Sequence, residues 1–172
     1  MATGDVKLAY AASSAITVTN LHSLASSQSW AAGWESGAID NTSNLYTDYR
    51  IVCHLVTHAS NRQAGTIKVY LVGPVDDTTW PDVFDGTESA ETPTDTEELD
   101  ACGILVKVLD VDNTASATYD IAIPSVAAVF GGNVPKKFVI YITGNATTTT
   151  TAQFAAAGSA VYVTGSYYNI AA

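Results

Sequence analysis

Two histidines, His54 and His58, stand four residues apart in a segment rich in apolar and β-branched side chains. On a helix this spacing places both imidazoles on one face, within reach of one zinc ion. On a strand the same spacing separates them by ~13 Å. No glutamate directly follows His54 to complete a metalloprotease motif. The sequence therefore predicts a structural or solvated role for both, and His22 has no evident partner.

The chain has two cysteines, Cys53 and Cys102, and both lie in apolar sequence surroundings. A disulfide between them requires adjacent strands, whereas two cysteines in a chain whose start does not resemble a secretion signal are more often reduced. Apolar surroundings raise the pKa of a thiol and disfavour a nucleophilic role. We expect two buried, reduced thiols that contribute packing, with a disulfide as the alternative.

Acidic residues are concentrated in one stretch of the chain. Ten of the seventeen fall there: Asp76, Asp77, Asp82, Asp85, Glu88, Glu91, Asp95, Glu97, Glu98 and Asp100. Carboxylate oxygens of this kind bind calcium, but Asp82, Asp85 and Gly86 do not follow the ligand spacing of an EF-hand. Because a run of like charges is commonly a solvated loop, the sequence predicts a long exposed acidic loop over residues 76–100. Calcium binding stays open as the alternative.

Other chemical signatures are missing from the sequence. It contains neither a phosphate-binding glycine loop nor a Gly-x-Ser-x-Gly nucleophile elbow. No pair of acids on defined strands indicates a glycosidase. We therefore predict that the protein is not an enzyme, and that it has no catalytic residues, no cofactor and no metal site.

Three tryptophans, Trp30, Trp34 and Trp80, offer flat aromatic surfaces of the kind that suits sugar rings, as in β-sandwich carbohydrate-binding modules. Trp30 and Trp34 fall on one predicted strand at even spacing and so share a face, which favours at least partial burial. Sugar binding through the tryptophans is the alternative to core packing.

The elements that must position these side chains are mostly strands. Glycine, proline and asparagine recur about every ten residues, and the intervening segments are rich in valine, isoleucine, threonine and tyrosine. The predicted strands cover residues 6–10, 15–19, 30–39, 65–73, 104–111, 118–123, 137–143 and 159–168. The predicted fold class is all-β: an antiparallel β-sandwich, with a jelly roll as one form of it and an open barrel as second choice. Its predicted core includes Ile67, Val69, Leu71, Ile104, Val106, Val108, Phe138, Ile140 and Ile142.

Residues 46–59 fit both a helical stripe and an alternating strand. Their β-branched and aromatic content favours the strand. The side chains expected to face one way are Tyr49, Ile51, Cys53 and Leu55.

At most one short helix is predicted, at residues 125–130, because this segment follows Pro124 and precedes two glycines. Low-complexity residues 146–157 are expected to form either a hairpin arm or a mobile loop. We divide the chain into an N-terminal arm with the first strands, residues 1–20, and a single β-sandwich domain, residues 21–172, that contains the acidic loop.

Composition limits the partners of the protein. Its 172 residues and 18.0 kDa fit one domain. Seven basic against seventeen acidic residues give a net charge of −10, the wrong sign for neutralising phosphates, so nucleic acid is not an expected direct partner. No stretch reaches the ~18 apolar residues of a membrane span, and no membrane partner is expected. Charged residues make up only 14% of the chain, which leaves a surface of small neutral groups suited to protein contacts.

Four segments together resemble a family of small virion structural proteins of tailed bacteriophages. They are residues 32–41 (AGWESGAIDN), 48–52 (DYRIV), 65–70 (GTIKVY) and 121–142 (IAIPSVAAVFGGNVPKKFVIYI). The resemblance spans much of residues 32–142 and implies a β-sandwich head protein, a decoration or cement protein bound to the outside of the capsid. None of these segments carries chemistry, and the resemblance does not extend to the acidic loop or to the threonine tract.

The resemblance sets the functional expectation: a non-enzymatic protein, made in the host cytoplasm, that binds the major capsid protein on the outer surface of the virion. Closed cyclic symmetry favours a homo-oligomer, either a trimer or a dimer. The alternative function is a carbohydrate- or receptor-binding module of a phage fibre or spike, acting through Trp30, Trp34 or Trp80.

Overall fold

Strands from every part of the chain assemble into two facing sheets in a computed structural model, which describes residues 5–27, 29–30, 32–146 and 153–170. In chain order the described strands are β1 (Val6–Tyr10), β2 (Ser14–Ile16), β3 (Gly33–Glu35), β4 (Ile39–Asp40), β5 (Asp48–Val56), β6 (Gly65–Val72), β7 (Ser89–Glu91), β8 (Gly103–Val111), β9 (Thr118–Ile123), β10 (Lys137–Ala146) and β11 (Ala160–Ile170). The helices are α1 (Thr96–Cys102) and α2 (Val126–Val129). No helix within these residues is long and apolar enough to cross a membrane.

All strand pairs described are antiparallel. Sheet 1 has the order β1–β11–β5–β9, and β2 also pairs with β11. Sheet 2 has the order β7–β3–β10–β6–β8, and β4 also pairs with β10. The long strands of the two sheets follow the double Greek key order of a jelly roll. The predicted all-β sandwich is confirmed.

The core lies between the two sheets and follows the predicted alternation. On β5 the four side chains expected to face one way, Tyr49, Ile51, Cys53 and Leu55, are all buried. Six predicted core residues are fully buried: Ile67, Val69, Leu71, Phe138, Ile140 and Ile142. Val106 is half-buried and packs against this cluster.

Two predicted core residues are wrong, because Ile104 and Val108 are exposed on β8. This strand lies at the edge of sheet 2, so no described strand neighbours it on its far side. Its pairing with β6 also shifts register between Val69 and Tyr70. Such a bulge breaks the two-residue alternation on which the sequence prediction depended.

The acidic stretch, residues 76–100, differs from the exposed loop that was predicted. It forms β7 and most of α1, and it packs against the face of sheet 2 that points away from the main core. The expectation of at most one short helix is therefore corrected by α1. Its first turn is capped by Asp95, whose carboxylate accepts a hydrogen bond from the backbone N–H of Glu98 at 2.7 Å. The predicted short helix is present as α2, with Ser125 as its N-cap.

The N-terminal residues pair with the far end of the same chain. β1 runs beside the last five residues of β11, from Val6 opposite Ile170 to Tyr10 opposite Ser166. β2 pairs with the first half of β11. The alternatives considered for residues 146–157 fall largely on residues 147–152, which lie outside the described residues.

Candidate functional site

The three tryptophans occupy different environments. Trp34, on β3, is fully buried and donates a hydrogen bond from Nε1 to Oε1 of Glu88 at 2.6 Å. Trp30 is half-buried, and the Nζ of Lys68 lies 4.4 Å from the centre of its ring. Trp80 is half-buried against the outer cluster on sheet 2. A buried indole cannot stack on a sugar, so a platform made of all three is not formed.

The histidines do not meet. His54 lies on β5, and its Nδ1 is 2.7 Å from Oδ1 of Asp120 on the neighbouring β9. His58 instead accepts backbone hydrogen bonds at Nδ1 from Ser60 and Asn61, both at 3.0 Å. Within the described part of the chain, no three His, Cys, Asp or Glu side chains are grouped as metal ligands. The structural or solvated role of His54 and His58 stays a prediction.

Both cysteines are free thiols. Cys53 is fully buried in the main core, and burial raises its pKa to about 12. Cys102 ends α1 and is half-buried, and burial raises its pKa as well. Because the thiolate is the reactive form, neither side chain is poised as a nucleophile.

Carboxylates of the acidic stretch accept hydrogen bonds from the stretch itself. Asp76 accepts the backbone N–H groups of Thr78 and Thr79, at 2.7 and 2.6 Å, and these bonds lower its pKa to about 2. Asp82 accepts both the backbone N–H and the hydroxyl of Thr94. The acids therefore fix turns and join distant parts of the stretch, besides being exposed to solvent.

The stretch is attached to sheet 2 through an apolar cluster. Phe84 and Leu99 are its buried contributions, and Trp80 packs beside them. Sheet 2 contributes four residues to this cluster: Tyr70, Val72, Val139 and Tyr141. Sheet 2 is thus covered on both faces.

Glu35, at the end of β3, is the residue that sequence reasoning missed. Its side chain is fully buried under the acidic stretch, where Oε1 accepts backbone N–H groups from Gly86 at 2.8 Å and Asp85 at 3.3 Å. Its Oε2 has no hydrogen-bond partner among the described residues. Burial raises the pKa of Glu35 to about 7. The alternation of β3 alone predicts that Glu35 points outward. The acidic stretch, which packs over this face of sheet 2, is what buries its side chain.

The outer face of sheet 1 contrasts with that of sheet 2. β11 carries no charged residue, and its exposed side includes Tyr162 and Tyr168. β5 adds Asp48 and Arg50 to this face, and β9 adds Asp120, so the few charges there are of both signs. The protein therefore presents an acidic outer face over sheet 2 and a face poor in charge over sheet 1.

No protein-family model matches the chain, and no curated protein is significantly similar to it.

Proposed function

We propose that this chain is a non-enzymatic structural protein of a bacteriophage virion, a decoration or cement protein that binds the outer surface of the head and stabilises the shell. Its partners in this proposal are the major capsid protein and further copies of itself, as a dimer or a trimer. The observation that carries the proposal is the unequal charge of the two outer faces.

The face of sheet 1 has the chemistry of a protein contact surface. Protein interfaces are depleted in charged residues and enriched in tyrosine, and β11 matches both tendencies with no charge and an exposed Tyr162. The acidic stretch lies on the opposite side of the sandwich. A molecule docked through sheet 1 turns its acidic side to the solvent.

The net charge of −10 favours the outside of the shell, because packaged DNA inside repels an acidic protein. The jelly-roll order is also found in viral capsid domains. It occurs in lectin domains as well, so the fold alone does not choose between a capsid role and a sugar-binding role. The resemblance of four segments within residues 32–142 to virion proteins supports the first.

The experiment adds the purified chain to expanded, undecorated capsids built from the major capsid protein of the same virus. We expect saturable binding and a higher disruption temperature of the capsids. Tyr162→Asp should weaken binding, because it places a charge on the sheet 1 face. Leu105→Asp is the matched control, since Leu105 is equally exposed (44% against 43%) but lies on the edge of sheet 2.

Two outcomes would contradict the proposal. If both variants weaken capsid binding equally, the face of sheet 1 is not the surface that contacts the capsid. Absence of capsid binding, combined with affinity for a glycan array that is lost in Trp80→Ala, would replace it with the receptor-binding function.

A further inference from the structure

Exposed apolar side chains gather on one face of the ribbon formed by β1 and the end of β11. The register places Val6 opposite Ile170 and Leu8 opposite Tyr168, so their side chains share a face with Tyr10. All five are between 51% and 68% exposed. On the opposite face of the ribbon Tyr167 packs against Tyr46, but a two-stranded ribbon is at best marginally stable by itself.

In the described part of the chain, no strand pairs with the outer edge of β1. The N–H of Ala11 donates to the carbonyl of Gly165 at 2.8 Å. This bond shows which residues of β1 direct their backbone groups toward β11. In an antiparallel pair alternate residues point toward the partner, so the odd residues of β1 bond to β11. The N–H and C=O groups of Val6, Leu8 and Tyr10 therefore point away, to the open edge of sheet 1.

Charge makes this ribbon the easiest place for two copies to meet. The whole chain carries −10, so two copies repel each other over most of their surfaces. In β1 and β11 the one charged residue is Lys7, and its position in the register is on the face opposite to Leu8.

We propose that β1 is the interface between two copies of this chain, which pair edge to edge and antiparallel about a two-fold axis at Leu8. Leu8 then faces Leu8 of the second copy, and Val6 faces the second copy's Tyr10. Lys7 faces Ala9, so no like charges are directly opposed. The outward N–H and C=O groups of all three even residues find partners, and sheet 1 becomes continuous across the dimer.

Sheet 2 also has an open edge, at β8, but that edge is protected. The register shift beside Val69 interrupts its ladder, and Lys107 and Asp110 are exposed along it. Bulges and charged residues are the devices by which proteins block edge pairing. β1 has a regular ladder and no proline, so the second copy is assigned to β1.

The inference specifies the oligomer that is part of the proposed function, but its test needs no capsid, so failure of one is distinguishable from failure of the other. The experiment is sedimentation equilibrium of the purified chain at micromolar concentrations. We expect a mass twice the 18.0 kDa of the chain. Leu8→Pro should abolish the dimer, because it removes an outward N–H while sparing those that bond to β11.

A charge exchange tests the register. Val6→Lys combined with Tyr10→Lys opposes like charges across the axis and should abolish the dimer, whereas Val6→Lys combined with Tyr10→Asp opposes unlike charges and should restore it. Leu105→Lys, at the other sheet edge, should leave the dimer intact. Circular dichroism and thermal melting of each variant identify any that fails to fold.

A monomeric wild-type chain would overturn the inference. So would a trimer, because a two-fold edge contact closes at two subunits. The inference would also be overturned if Leu8→Pro, and the double variant Val6→Lys with Tyr10→Lys, both fold and still form the dimer.

Discussion

Glu35 places a carboxyl group inside the protein, beneath a stretch that itself carries ten acidic residues. Acidic side chains are almost never fully buried without a partner, and here one oxygen has two backbone donors while the other has none among the described residues. Asp85 and Glu91 face it with like charge. The protonated acid is therefore the form that suits this site.

The pH dependence of stability should reveal Glu35. Its pKa rises from 4.5 to about 7 on folding, so the folded state retains a proton that the unfolded state releases between these values. Stability should therefore fall as pH rises from 4.5 to 7, by roughly 3–4 kcal/mol at most, since one pKa unit corresponds to about 1.4 kcal/mol. Glu35→Gln keeps the shape and cannot ionise, so its stability relative to wild type should increase between pH 5 and pH 8.

Urea unfolding at the two pH values measures this difference. Glu97→Gln is the control, because Glu97 is exposed on α1. If wild type and Glu35→Gln differ by the same free energy at both pH values, the carboxyl does not titrate as described.

At the scale of elements, the acidic stretch behaves as a cover on sheet 2 and not as a free loop. Its apolar attachment rests on few side chains, of which Leu99 on α1 is fully buried. Because the stretch returns to the same sheet through β7 and leads directly into β8, its packing fixes the path of the chain on that side of the sandwich.

Leu99→Ala should destabilise the protein by about 2–5 kcal/mol, the usual cost of truncating a buried leucine. Leu105→Ala removes the same atoms from an exposed position on β8 and should change the free energy of unfolding much less. Urea unfolding monitored by tryptophan fluorescence compares the two variants. Equal losses would mean that buried Leu99 adds no more to stability than an exposed leucine does.

Much of the strand arrangement could be predicted because alternation is a local signal. β1 and β9 match their predicted bounds residue for residue, and β6 and β8 differ from theirs by one residue. β7 and α1 could not be predicted, since their apolar residues are too sparse for a period and are ordered by contact with sheet 2. For the same reason Glu35 gave no signal: its burial depends on residues about 50 positions away.

On the scale of the whole molecule, the two ends of the described chain contribute unequally to sheet 1. β1 has no buried residue, whereas β11 lies between β1 and β5 and contributes Val161 and Val163 to the core. A chain that begins at residue 13 should therefore still unfold in one cooperative transition. A chain that ends at residue 158 should not, because sheet 1 loses its central strand.

Denaturant unfolding of the two shortened chains tests this asymmetry. A cooperative transition in the chain that ends at residue 158 would show that β5 and β9 hold their places without β11.

The position of the two central strands also fixes when the protein can fold. β10 joins β3 to β6 in one sheet, and β11 joins β1 to β5 in the other, so both sheets wait for strands synthesised after residue 136. Before that point β5 can pair with β9 and β6 with β8, but each pair lacks the strand that joins it to the rest of its sheet. Completion of both sheets therefore follows synthesis of β11, at the slow rates typical of distant strand pairing, and the strand edges that are still unpaired expose the incomplete chain to aggregation.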